Sequence, residues 1–204
     1  IAQSTVTSAA SHGVFLNVGA AGTYSIRGCS IHGGSIAVFA HSGISGTLAI
    51  AGGSVSSSTN QALRVGAVSG RVEIAGTAIT STANHGVHVT AGVSGSVSIT
   101  RATITAPGAT SHGVYVAVAS AGSIAIAEST VTAGDFGVLV LGLTGAGTFA
   151  LQGGAVTAGD TALGLTGSYA ATTHGSVGGA ALNGAYAIML GTFGGALDVH
   201  GGAL

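Results

Sequence analysis

Two aspartates recur in the same short motif and raise the question of a cation site. Asp135 and Asp160 each close a Thr-Ala-Gly-Asp segment, and they lie 25 residues apart. Stacked carboxylates could bind a cation weakly, but calcium takes about 6–8 oxygen ligands. The remaining acids are Glu73, Glu128 and Asp198. Glu73 follows Arg71 at the spacing of a surface ion pair. No two carboxylates are placed to flank a scissile bond. We therefore expect the acidic residues to lie in polar turns and predict no catalytic residues.

Histidines offer a second possible chemistry. His12, His85 and His112 each precede a Gly-Val pair. Two stacked imidazoles could hold zinc, which takes four ligands, yet Phe136 occupies the next matching position. We therefore interpret these residues as turn histidines and predict no metal, no cofactor and no enzymatic activity. Cys29 is the only cysteine, which excludes an intrachain disulfide and favours a small packing residue.

Composition narrows the class of protein. Hydrophobic residues make up 47% of the 204 residues and charged residues 4%, against about 25% in an ordinary soluble domain. Lysine is absent, and the four arginines are not clustered, so a nucleic-acid partner is not expected. A net charge of −1 favours association with further copies. No uninterrupted apolar run reaches about 18 residues, which predicts no transmembrane segment.

A repeat near 25 residues runs through the chain. One apolar position recurs at Val6, Ile31, Val55, Ile79, Ile104, Val131, Val156, Leu182 and Leu204. Each period contains three short alternating segments, typified by GSIAI, TVT and HGVYVAV, which indicate strands with one buried face. Gly-rich corners such as AGG, VSG and SAG separate them, where glycine allows a positive φ. We predict one all-β domain over residues 1–204 without a linker: a parallel β-helix of about eight coils, three short strands each.

The stretch HGVYVAVASAGSIAIAESTVTAGDFGVLV resembles the parallel β-helix repeat of the pectate-lyase-like superfamily. In character the chain is closest to bacterial adhesin and surface passenger domains. The resemblance implies a right-handed coil, an extracellular or cell-surface location, and either a structural or a carbohydrate-directed role. One departure is that this chain mostly uses Gly, Ala, Thr and Ser at its corners, where members of the superfamily often stack Asn.

Strand alternation sorts the side chains into columns. In the third strand type, valines such as Val87 and Val114 should point inward. The outward column reads Phe15, Phe39, Arg64, His88, Tyr115, Leu139, Gly164 and Met189. Such an apolar stripe is typical of an interface. We predict a lateral interface at Phe15, Phe39, Tyr115, Leu139, Leu141 and Met189, with Leu143 as a further extension, and expect Tyr24 to point inward.

Two other outward columns are polar. The first strand type presents Thr23, Thr47, Arg71, Ser96, Ser123, Thr148 and Ser176. The second presents Thr7, His32, Ser56, Thr80, Thr105, Thr132, Thr157 and Asn183. Regularly spaced hydroxyls are a feature of ice-binding solenoids, although Thr also simply suits a strand surface.

Both ends of the sequence fall within a coil and lack a polar cap of the kind that solenoids use. We expect either a processed product or fragment of a longer solenoid, or a filament subunit. The predicted end-to-end interface comprises Ile1, Thr5, Val6, Leu197, Val199 and Leu204. The leading hypothesis is a self-assembling structural solenoid. The alternatives are a carbohydrate-binding or carbohydrate-cleaving β-helix and an ice-binding solenoid, and a surface glycan is the possible partner besides self.

Overall fold

A computed structural model describes residues 1–17, 19 and 21–201. These residues form 24 strands, labelled in chain order, and no helix. Three consecutive strands complete one coil, so that β1 to β3 form coil 1 and β22 to β24 form coil 8. No helix long and apolar enough to cross a membrane is found in the described part of the chain. The prediction of an all-β solenoid of about eight coils with three strands each is confirmed.

The strands of successive coils pair into three parallel eight-stranded sheets. The first sheet contains β3 (Thr23–Arg27), β6 (Thr47–Ala51), β9 (Arg71–Ala75), β12 (Ser96–Thr100), β15 (Ser123–Ala127), β18 (Thr148–Gln152), β21 (His174–Gly178) and β24 (Ala196–His200). The second contains β1 (Thr5–Ser8), β4 (Ser30–Gly33), β7 (Ser54–Ser57), β10 (Ala78–Ser81), β13 (Thr103–Ala106), β16 (Thr130–Ala133), β19 (Ala155–Ala158) and β22 (Ala181–Asn183). The third contains β2 (Val14–Leu16), β5 (Val38–Ala40), β8 (Leu63–Val65), β11 (Val87–Val89), β14 (Val114–Val116), β17 (Phe136–Leu143), β20 (Thr161–Tyr169) and β23 (Tyr186–Phe193).

The register follows the repeat. In the second sheet Val6 pairs with Ile31, and the same apolar column continues strand by strand to Leu182. Leu204, the last predicted member, lies outside the described residues. Because side chains alternate between the two faces of a strand, this register keeps one apolar column of each sheet inside every coil.

The hydrophobic core runs along the stack. It is built from the inward columns, in which Val87, Val114, Ile104 and Ile124 are fully buried. Tyr24 packs against this core, as expected, and Cys29 is buried, in keeping with its interpretation as a packing residue. Each buried apolar side chain of this size stabilises the fold by about 1.5–3 kcal/mol, so the repeated inward column is what holds successive coils in register.

One predicted outward column differs in register, though not in direction, at its last member Ser176. In the first sheet Thr148 pairs with His174, whereas Ser176 lies opposite Ala150. In coil 7 the position opposite Phe149 is Gly175. Because this strand lacks the apolar residue that marks its start in other coils, the alignment predicted from the sequence is displaced by two residues. A shift of two residues keeps Ser176 on the outward face, since strand side chains repeat with period two.

Candidate functional site on the third sheet

A strip of rings runs across the outer face of the third sheet. We define the aromatic strip as the column Phe15, Phe39, Arg64, His88, Tyr115 and Leu139, whose members are direct strand partners from coil 1 to coil 6. Three-residue strands position the first five of these side chains, because the two flanking positions of each strand point into the core. Leu139 lies in the longer strand β17. The predicted column is therefore confirmed as a structural feature, while its role as a lateral interface stays a prediction.

The first part of the strip is a cluster of rings in coils 1 and 2. The centroids of Phe15 and Phe39 lie 5.4 Å apart, and the His12 ring lies 5.1 Å from Phe39 with an edge-to-face tilt. Arg64 places its guanidinium carbon 5.1 Å from the Phe39 centroid, which is within the range of a cation–π contact. Phe15 is 48% exposed, so this end of the strip offers an apolar ring to a partner.

The second part of the strip lies beside two stacked imidazoles. His85 and His112 lie in the turns before β11 and β14, and their ring centroids are 4.6 Å apart with an interplanar angle of 6°. His88 stacks on Tyr115 at 4.8 Å and meets His85 edge to face at 5.0 Å. We call His85, His88 and His112 the imidazole stack. The sequence predicts the stacking of His85 on His112 from their shared motif, but it does not predict that His88 joins them.

Backbone hydrogen bonds determine what the imidazole stack can do. The His112 backbone N–H donates to Nδ1 of His85 at 3.1 Å, and the Phe136 N–H donates to Nδ1 of His112 at 3.4 Å. A neutral imidazole that accepts at Nδ1 carries its proton on Nε2. Neither ring then has a free lone pair for a metal. This geometry is consistent with the prediction of turn histidines rather than a zinc site.

Burial keeps the imidazole stack neutral. Burial first, and then the nearby His112 and His88, lower the pKa of His85 to about 3. Burial, followed by the positive charge of Arg64 and by His112, lowers the pKa of His88 to about 4. Burial also lowers the pKa of His112, against the opposing effect of the Asp135 carboxylate. At neutral pH all three rings are therefore uncharged.

The far end of the strip is less open than the sequence predicts. Leu139 is only 7% exposed. A Cβ at Gly164, its strand partner, would lie 2.7 Å from Phe136 and 2.9 Å from Leu139, because both side chains lie over this glycine. Leu141 and Met189 are partly exposed.

The extension to Leu143 is wrong. This side chain is fully buried and pairs with Tyr169 after a register shift between Leu141 and Leu143. Gly142, between the two leucines, has a φ of 91°, which is a conformation that glycine adopts readily. The shifted register places Leu143 in the core instead of on the strip.

Each acidic side chain has a neighbour of its own. Glu73 pairs with Arg71 at 2.9 Å, Glu128 lies 3.6 Å from Arg101, and Asp198 lies 3.4 Å from His200. The Thr161 hydroxyl donates to Asp160 at 3.1 Å, and Asp135 lies 3.6 Å from Nδ1 of His112. Asp135 and Asp160 occupy adjacent coils, where the Asp160 N–H donates to the Asp135 carbonyl oxygen at 3.2 Å. No group of three or more His, Cys, Asp or Glu side chains arranged for a metal is found within the described ranges.

The hydroxyl column of the second sheet has the predicted register. Thr80, Thr105, Thr132 and Thr157 are direct partners on β10, β13, β16 and β19. In coils 2 and 3 the column contains His32 and Ser56 instead of threonine, and Nδ1 of His32 lies 3.1 Å from the Ser56 hydroxyl. The ice-binding hypothesis stays a prediction.

The first and last described coils expose parts of the core. Ile1 is 55% exposed and lines a cavity of about 270 Å³ with Val14, Leu16 and Tyr24. Thr5 is exposed and Val6 partly buried. At the other end Leu197 is partly buried, and Val199 is 47% exposed although its strand partner Val177 is buried. Leu204 lies outside the described residues.

An asparagine pair was not predicted. The side-chain amide of Asn84 donates to Oδ1 of Asn60 at 3.3 Å across adjacent coils. Each Asn also accepts the N–H of the next residue, at 3.0 Å for Gln61 and 2.8 Å for His85. The spacing of 24 residues between Asn60 and Asn84, one repeat length, is the signal in the sequence that could have indicated this short ladder.

No family model, no curated protein and no solved structure matches the chain. Membership of the pectate-lyase-like superfamily thus gains no support from these comparisons. Since one fold can carry many functions, function is argued below from the side chains and strand edges of the chain itself.

Proposed function

We propose that this protein is a non-enzymatic structural β-solenoid that works outside the cell or at its surface. It acts as a stiff rod, in a filament subunit or an adhesin-like stalk, and joins other copies head to tail. The observation that carries the proposal is the continuity of the three parallel sheets through all eight coils. The surface location is proposed from the resemblance to adhesin passenger domains.

The strand edges support head-to-tail stacking. Strands β1, β2 and β3 lie at one edge of the three sheets, and β22, β23 and β24 lie at the other. Edge strands present N–H and C=O groups that can pair with another chain. At both edges the inward columns continue as partly exposed apolar residues, among them Val14 and Val199. A second copy placed end to end would extend both the backbone ladders and the core, and such a contact repeats without closing.

The small number and wide spacing of the charged side chains also support a structural role. The five acidic side chains are spread along the stack and lie beside local partners. The two exposed Arg–Glu pairs among them contribute about 0–1 kcal/mol each. A surface with so few charges also gives little repulsion between copies.

Electron microscopy of the protein with edge variants tests head-to-tail stacking. Fibres of the wild-type chain should show an axial repeat of about 38 Å, from eight coils spaced about 4.8 Å apart. Val199→Lys places a charge in the proposed joint and should leave short rods. Ala196→Lys, on the outward face of the same strand, is the matched control and should still form fibres. Short rods of the wild type at high concentration, or unchanged fibres of Val199→Lys, would contradict the proposal.

Carbohydrate binding is the second candidate, favoured by the aromatic strip. Phe39 and Tyr115 are partly exposed on the same outward column, and ring faces of this kind can stack against a sugar. If the strip binds a glycan, the double variant Phe39→Ala/Tyr115→Ala should weaken binding at least about tenfold, or 1.4 kcal/mol. The control Thr132→Ala/Thr157→Ala alters the second sheet instead. Binding on a glycan array that survives loss of both rings removes this candidate.

A further inference from the structure

Two histidines with neutral rings accept backbone hydrogen bonds across coil junctions in the middle of the solenoid. His85 belongs to coil 4, and its Nδ1 accepts the backbone N–H of His112 in coil 5. His112 repeats the arrangement by accepting the N–H of Phe136 in coil 6. The His88 ring lies 5.0 Å from the His85 ring and stacks on Tyr115. Two successive coil junctions thus use an imidazole nitrogen as a hydrogen-bond acceptor.

We propose that the imidazole stack is an acid-sensitive latch, which joins coils 4, 5 and 6 while its rings are neutral and releases them when the rings gain protons. The latch is a property of the middle of the rod. It is independent of the head-to-tail joint proposed above, which lies at the strand edges.

Protonation changes the chemistry of both junctions. An imidazolium has no lone pair and donates from both nitrogens. A proton on Nδ1 of His85 would therefore face the His112 N–H, so that two donors meet where a donor and an acceptor met before. Charging both rings would also place two positive charges about 4.6 Å apart in a half-buried stack.

The charged neighbours make the three rings unequal. Nδ1 of His112 lies 3.6 Å from the Asp135 carboxylate, so a proton on this nitrogen gains an ion-pair partner. His88 faces the guanidinium of Arg64, which opposes its protonation, and Tyr115 lies over its ring. Both ring nitrogens of His88 are buried without a hydrogen-bond partner in the described chain. We expect His112 to take a proton before His85, so that the junction between coils 5 and 6 opens first and the junction between coils 4 and 5 opens at a lower pH.

The direction of the pH effect follows from the lowered pKa values. In the unfolded chain a histidine has a pKa near 6.5, whereas burial lowers the pKa of folded His85 to about 3 and of His88 to about 4. Between these values the unfolded chain binds more protons than the folded one. Stability is then complete above about pH 6.5 and falls as the pH drops toward 3. The chain has only five acidic side chains against eight histidines, so histidines contribute strongly to the acid response.

The first experiment is an NMR titration of the wild-type chain from pH 8 to 3. We expect the backbone amide resonances of His112 and Phe136 to shift together with the ring resonances of His85 and His112. Asp135→Asn should lower the pKa of His112, because it removes the carboxylate that opposes the effect of burial. Amide resonances that stay constant while the rings titrate would overturn the latch, as would a His85 ring that titrates near pH 6.5.

The second experiment measures the denaturant midpoint at pH 7.5 and 4.5. The triple variant His85→Gln/His88→Gln/His112→Gln keeps polar side chains but cannot gain a proton, and glutamine already occupies the matching position at Gln61. Between pH 7.5 and 4.5, the denaturant midpoint of this variant should fall by less than half as much as the midpoint of the wild type. His174→Gln, at an exposed histidine, should keep the wild-type fall. Equal falls in the triple variant and this control would contradict the proposal, and the NMR titration decides the matter if the triple variant does not fold.

Discussion

At the corner before the first sheet, glycine recurs because the neighbouring coil leaves no room for a side chain. Gly46, Gly70, Gly95 and Gly122 occupy this corner in coils 2 to 5, and a Cβ on any of them would overlap a backbone carbonyl of the preceding coil. None of the four has a positive φ. The expectation that these corners need glycine for its φ is wrong here, although it is confirmed at Gly52 and Gly53, with φ of 65° and 71°.

Substitution at this corner separates the two roles of glycine. Gly95→Ala should lower the free energy of unfolding by about 1–3 kcal/mol, because the added methyl group meets the carbonyl oxygen of Gly70 and the backbone must shift. Gly22→Ala is the matched control, since it has the same place in coil 1 and its nearest neighbour would lie 3.9 Å away. We expect this variant to be neutral or to gain about 0.4–1 kcal/mol. Urea unfolding of both variants checks the difference, and equal losses would contradict a steric role.

At the scale of the strands, the sequence predicts the repeat and the alternation well. Thr130–Ala133 and Ser123–Ala127 match the predicted short strands, because a buried face forces apolar residues to every second position. The third-sheet strands of coils 6 to 8 are longer than predicted, at 8 or 9 residues each. Gly142 and Gly167 have a positive φ within two of these strands. From the sequence alone, a glycine at such a position can indicate either the end of a strand or a bend within it.

The sequence predicts the column of side chains in the aromatic strip, but it does not predict the hydrogen bonds and ring contacts around it. Strand register alone places Phe39, Arg64 and His88 side by side. The sequence does not show that Nδ1 of His85 accepts a backbone N–H, since the choice between donor and acceptor depends on local distances. The burial of Leu139 likewise depends on how Phe136 and Leu139 lie over Gly164. Side-chain packing of this kind is set by shape in three dimensions and leaves no periodic signal in the sequence.

At the scale of the molecule, the solenoid transmits stability in one dimension. Each strand pairs only with the equivalent strands of the coils before and after it. The stability of such an array is approximately a sum of coil terms and junction terms between neighbours. A coil in the middle has two junctions, whereas a coil at the edge of the stack has one. The same loss of buried volume should then cost more in the middle of the rod than at its edge.

Two isoleucines test this dependence on position. Ile104, in coil 5, is fully buried between its partners Ile79 and Val131, and Ile104→Ala should lower the free energy of unfolding by about 2–5 kcal/mol. Ile188, in coil 8, is only partly buried and pairs with Leu163 on one side, so Ile188→Ala should cost less than half as much. Denaturant unfolding gives the two free energies, and hydrogen exchange shows which coils lose protection.

We expect Ile104→Ala to weaken protection from hydrogen exchange on both sides of coil 5, and Ile188→Ala to affect only coils 7 and 8. Equal losses, or loss of protection along the whole chain in both variants, would mean that the rod unfolds as one indivisible unit rather than coil by coil.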